Sequence, residues 1–154
     1  MTITNLSDLG GIVCVDGRAD EDIISAKADG ARIAGELVSI IGTAGATQGD
    51  IVGTDVGASE FFVGILLPKF NVDCDTAVLD GLLVEIVRPR SGRRYNIRVV
   101  DPAANREIGD GGIFGATVGQ MDLTVVTAIG FRLCNLTKVY LTADNDAFAE
   151  VIWV

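Results

Sequence analysis

The sequence contains no histidine. That removes the commonest general base, the commonest zinc ligand and the usual imidazole-based triads. Lysine is scarce, at Lys27, Lys69 and Lys138, so arginine carries most of the positive charge. Only 6% of residues are aromatic, and a core must therefore be filled by Val, Ile, Leu and Ala. The three cysteines, Cys14, Cys74 and Cys134, are odd in number and widely spaced, and no two form a C-x-x-C. They are expected to be free thiols, mostly buried, in a chain made in a reducing compartment. The most apolar stretch, Glu60 to Leu67 (EFFVGILL), has eight residues, too few to span a bilayer. The first residues show neither a charged n-region nor a long apolar run, so no signal peptide is expected and the chain reads as soluble.

What is present points to strands. Nineteen glycines fall between short β-branched runs, which implies many turns and short strands. A length of 154 residues makes one domain the default. Residues 1–22 read as an extended N-terminal arm, with Ile12 to Val15 as one short strand. Residues 23–154 read as a single β-barrel-like domain. Strands are expected at Gly35 to Gly42, Glu60 to Leu67, Leu82 to Val87, Tyr95 to Val100, Leu123 to Thr127, Phe131 to Thr142 and Ala147 to Val154. Gly42 to Gly57 reads as an extended loop or a small hairpin. Asp101 to Arg106 reads as a connecting loop, and Asp144-Asn145-Asp146 as a turn. Short connections favour antiparallel pairing. The expected fold class is all-β: a compact antiparallel β-barrel or sandwich of short strands with an extended N-terminal arm.

The formal charge of −9 argues against a nucleic-acid partner, which would need a broad basic face, and against an anionic membrane. Three acidic groupings invite a metal. Asp20, Glu21 and Asp22 match no regular ligand order, and Asp144, Asp146 and Glu150 lack the glycine and distal glutamate of a calcium loop. Asp73-Cys74-Asp75 mixes one soft ligand with two hard ones, a poor zinc set. The four glycines between Gly109 and Gly115 have no P-loop lysine after them and read as turn glycines. No metal or cofactor is expected. Glu60 and Glu85 are the carboxylates that glycoside chemistry would require, but nothing in the sequence places them together.

The exception to the acidic background is Asp80 to Val100. It reads as two strands joined by a turn at Pro89-Arg90-Ser91-Gly92. Five of the twelve Lys and Arg residues lie between Arg88 and Arg98. Arg88, Arg90, Arg93 and Arg94 are the candidate partner-binding residues, presented on what reads as a basic hairpin tip. The plainer reading is a solvated turn balanced by the chain's own carboxylates.

Several pieces occur in a familiar order. A turn at Asp29-Gly30 precedes Gly35 to Ile40, and Phe62 to Leu66 follows. Asp80 to Val87, Gly109-Asp110 and Ile129-Gly130-Phe131 come next, before a last strand. Over Ala26 to Val154 the chain resembles the small capsid cement, or decoration, proteins of tailed viruses. The resemblance implies a compact β-barrel on the outer surface of an icosahedral virion, made in the host cytoplasm. It implies two partners, the major capsid protein and copies of itself in a homotrimer. It brings no catalytic residues, so no enzyme is expected. Met1 to Gly11 has too little apolar content to fold on itself, so this N-terminal arm, longer than the family usually carries, is expected to reach a neighbour and to be dispensable for folding. The alternative reading is a small-ligand or glycan-binding β-barrel module on a fibre or cell surface. That would need a concave patch of aromatics drawn from Phe61, Phe62, Tyr95, Tyr140 and Trp153.

Overall fold

Tyr95, Ile97 and Val99 alternate along the sequence, and all three side chains are fully buried. The same period of two organises the rest of the chain. The computed structural model describes residues 5–55, 60–69, 73–100, 106–115, 117–124, 132–139 and 146–154. Most of the expected loop at Asp101 to Arg106, the residues Phe131 and Tyr140, and most of the turn at Asp144-Asn145-Asp146 lie outside them.

The strands are β1 (Asp22–Lys27), β2 (Leu37–Ile41), β3 (Ile51–Gly53), β4 (Glu60–Leu66) and β5 (Leu83–Arg88), followed by β6 (Arg94–Val100), β7 (Gly111–Phe114), β8 (Met121–Thr124), β9 (Cys134–Val139) and β10 (Asp146–Trp153). The described residues contain no α-helix, only a 3-10 turn at Leu6–Leu9. The protein is all-β, as the sequence implies. Its strands form two sheets. One has the order β1-β5-β4-β2-β3 and is antiparallel throughout. The other is a closed barrel, β10-β6-β8-β7-β9, whose β6–β8 contact is parallel. The first sheet curls until Ala28, just past β1, bridges Ile51 of β3.

One core runs from the barrel interior (Tyr95, Ile97, Met121, Leu136, Val151) to the facing side of the first sheet, where Leu37, Ile65 and Val87 pack. A second cluster, including Val38, Leu66, Val84 and Ile86, fills the other side of that sheet. The two sheets join where Arg98 lies 4.6 Å from the centre of the Phe148 ring and donates to the Ala34 carbonyl at 3.0 Å. Gly35 is required here, because its φ is +88° and a Cβ would meet Phe148.

Three sequence expectations are corrected. The two strands flanking the basic turn form as expected, but β5 and β6 belong to different sheets, so the turn is a crossing point and not a hairpin tip. The glycines at Gly111 and Gly112 are not in a turn. They begin β7, where Gly112 lies against Met121 and Cys134 inside the barrel and has no space for a Cβ. Third, the described part of the N-terminal segment is built into the fold. Leu6 is fully buried, Val13 and Cys14 join the main core, and Cys14 bridges Tyr95. Burial of a leucine stabilises by about 1.5–3 kcal/mol. Met1 to Gly11 therefore cannot be removed without opening the core.

Candidate functional site

The arginine-rich turn is fixed from several directions. The Arg93 N–H donates to the Arg90 carbonyl at 3.1 Å, and Gly92 supplies the left-handed φ of +81° that the third turn position needs. The turn is thus Arg90 to Arg93, one residue later than the sequence implies. The end of β10 holds it, with the Gly92 N–H donating to the Trp153 carbonyl and the Trp153 N–H to the Arg93 carbonyl, both at 2.9 Å. The Tyr95 hydroxyl accepts from the Arg90 N–H at 3.0 Å and donates to Glu21 Oε2 at 2.9 Å.

Two of the four candidate arginines are tied to the chain's own acceptors, Arg93 half-buried and Arg94 still exposed. Arg93 Nε lies 2.9 Å from Glu21 Oε1, a carboxylate only 1% exposed, and its Nη2 donates to the Gly17 and Ala19 carbonyls. Arg94 donates through Nε and Nη2 to Asp16 Oδ1, at 3.0 and 2.6 Å, and reaches Glu150 at 3.4 Å. Hydrogen bonds from the Arg94 side chain, and then from its backbone N–H, hold the Asp16 carboxyl below its usual pKa. Together Arg93 and Arg94 strap residues 16–21 across the end of the barrel. The other two arginines are exposed and less firmly held. Arg88 makes a loose 3.7 Å contact with Asp22. Arg90 is exposed, and among the described residues its guanidinium has no ion-pair partner.

Replacing Arg93 with alanine would strand the enclosed Glu21 charge with Tyr95 as its remaining donor. The expected result is a clear fall in melting temperature, with hydrogen exchange accelerated at Val15, whose N–H donates to the Arg94 carbonyl. Arg93→Lys should restore only part of this, because an ammonium cannot reproduce the fork. Unchanged exchange at Val15 would show that the strap is not needed.

Beside the strap lies a cleft of about 400 Å³, lined by Ile12, Val13, Leu67, Pro68 and Arg18 among others. Arg18 is tied to Glu85 at 2.9 Å. Among the described residues, no aromatic ring lines this cleft. Phe62 stacks on Trp153 and packs against Phe114, and Tyr95 is fully enclosed, so the rings that could stack on a sugar are mostly used in packing. Phe61 is exposed.

The remaining candidates separate. The Glu85 carbonyl accepts from the Leu67 N–H, which places Glu85 seven residues along from Glu60. That is about 23 Å of strand, well beyond the roughly 5–9.5 Å between the carboxyl groups of glycosidases. Ligand atoms of Asp73, Cys74 and Asp75 lie within 4.8 Å of one another. Their carboxylates already accept backbone N–H groups, Asp75 from Ser7 and Asp73 from Asp75, which staples this loop to the 3-10 turn. Burial pushes the thiol of Cys14 up to about 11 and that of Cys134 to about 12, so both stay protonated and weakly nucleophilic at neutral pH. Arg93 and Arg94 could be found in the sequence only as charges. Nothing local marks Glu21 or Asp16 as their partners across more than seventy positions. No family model matches the chain, and no curated protein matches it in sequence.

Proposed function

We propose that this protein is a structural component of a virion that binds the outer surface of an icosahedral capsid and cements contacts between capsid subunits. It acts by burying surface, and its partner is an acidic face of the major capsid protein. The observation that supports this mode of docking is the exposed Arg90 on a turn whose backbone is held by Tyr95, Trp153 and the Arg93 strap. A side chain on so fixed a backbone loses less freedom on docking than one on a tail. Arg88 stands beside it, its contact with Asp22 exposed and readily exchanged. Arg93 and Arg94 serve the same surface indirectly, by fixing the turn.

An exposed ion pair contributes about 0–1 kcal/mol, whereas truncating a desolvated pair at an interface costs about 2–5 kcal/mol. Arg90→Ala is therefore expected to lower occupancy on assembled shells sharply and to flatten its salt dependence. The melting temperature of the free protein should not change. Full occupancy at every salt concentration would mean that the turn merely faces solvent.

A further inference from the structure

The cleft beside the strap lies between the N-terminal segment, residues 11–18, and Leu67-Pro68 just past β4. Ile12 lines it and stays 49% exposed, although its neighbour Val13 is buried in the main core. Val13, Leu67 and Pro68 complete an apolar wall. At about 400 Å³ the cleft falls within the roughly 300–1,000 Å³ of small-molecule sites.

Among the described residues that line it, only Arg18 is charged. The Arg18 guanidinium is bonded through Nη2 alone, at 2.9 Å from Glu85 Oε2. Its Nε and Nη1 have no partner among the described residues. Nη2 carries two hydrogens, so one two-pronged side of the guanidinium stays open whichever of them Glu85 takes. Arg93 and Arg94 differ, because each directs Nε as well as Nη2 to acceptors of the strap. Glu85 reaches Arg18 from the sheet, where its carbonyl accepts the Leu67 N–H. The ion pair therefore joins the two walls of the cleft. Both side chains are about half exposed, and a single-contact pair of this kind is readily exchanged.

These groups select a ligand. Among the described residues no ring lines the cleft to stack on a sugar or a base, and no carboxylate lines it to hold a cation. The open side of a guanidinium matches a carboxylate, which it can hold through two parallel hydrogen bonds. The apolar wall matches a hydrocarbon body. We propose that the cleft binds a small apolar carboxylate of the medium-chain fatty-acid class. The carboxylate lies on the open side of Arg18, and the chain lies against Ile12, Leu67 and Pro68. Glu85 is then the ligand's competitor, since it holds the same guanidinium and carries the same charge.

Octanoate, kept dilute enough to stay monomeric, is the probe. Calorimetry and amide NMR on the intact chain give the readout. Octanoate should bind at one site and shift the amides of Ile12 and Leu67. Hexanoate, two CH₂ groups shorter, should bind about fifteenfold more weakly, at about fourfold per CH₂. Arg18→Gln should weaken octanoate about tenfold or more and leave octanol, which has no charge, unaffected. Glu85→Gln should tighten octanoate binding. Unshifted amides at Ile12 and Leu67 would overturn the proposal, as would octanol binding as tightly as octanoate. So would an Arg18→Gln or Glu85→Gln variant that binds octanoate as wild type does. Should either variant fail to fold, the comparison of octanoate with octanol on wild type decides. All of these measurements use the free protein, so capsid binding is read separately by the Arg90 variant.

Discussion

Stability should collapse in alkali, beginning above about pH 9 and largely complete by about pH 12. Three acids that ionise late are enclosed in the main core. Burial raises Cys134 to about 12 and Cys14 to about 11, from an ordinary thiol value of 9.0, and Tyr95 to about 12 from 10.0. Each favours its neutral form in the fold. The sign follows from linkage: their contribution is fully present below the unfolded pKa values and is lost as pH rises through the folded ones. Each pH unit between the two values corresponds to about 1.4 kcal/mol, so Cys134 alone accounts for on the order of 4 kcal/mol. A domain's whole stability is about 5–15 kcal/mol. Urea melts across this range should show the midpoint falling steeply. Cys134→Ala should begin less stable at neutral pH, because it leaves a space beside Met121, yet lose less on the way to alkali. A midpoint independent of pH up to about 12, or an equal slope in the variant, would refute the account.

Gly64→Ala should be among the most damaging single methyl additions to this chain. Gly64 lies opposite Val38 on β4, beside the bulge at Val38 and Ser39. A Cβ built there falls inside the contact distance of the Val87 carbonyl oxygen and also meets the Ile86 side chain. The carbonyl belongs to the backbone of β5 and cannot rotate aside without breaking the ladder. Overpacking usually costs about 1–3 kcal/mol, and a clash with fixed backbone belongs at or above the upper end. Gly112→Ala provides the comparison. Its Cβ would meet the sulfurs of Met121 and Cys134, and a methionine side chain can swing away. Chemical denaturation should therefore rank Gly64→Ala well below Gly112→Ala. Equal losses would mean that β5 gives way as easily as a side chain does.

The sequence disclosed strands better than their partners. Alternation in Tyr95, Ile97 and Val99 and the apolar run at Glu60 to Leu67 located β6 and β4, because each strand's own burial writes the pattern. Pairing is written nowhere locally. Pro89 and Gly92 are good hairpin residues, yet β5 pairs with β1 and β4 while β6 pairs with β10 and β8, and Trp153 bonds beside the turn at Arg93. The glycines of β7 look like turn residues until Met121 and Cys134 are seen to occupy the space they leave. In the site, Arg90 was legible as an exposed turn cation. The strapping roles of Arg93 and Arg94 depend on carboxylates more than seventy positions earlier in the chain. The same distance hid the N-terminal segment's place in the core, since Leu6 and Val13 are too few to announce burial by themselves.

β10 bonds to β6 on one side and to β9 on the other, and so closes the barrel. On a ribosome that closure comes late. About fifty residues separate Arg94 from Asp146, which is roughly 3–10 s of synthesis at 5–20 residues per second. Throughout that interval β6 has emerged with Tyr95, Ile97 and Val99 on one face and without the strand that covers its longest flank. A cell making many copies at once therefore holds a standing population of open barrels. Each lacks a β10, and the chains finishing beside it carry one, so chaperone supply and the spacing of ribosomes on the message decide whether strands close at home or are exchanged between neighbours.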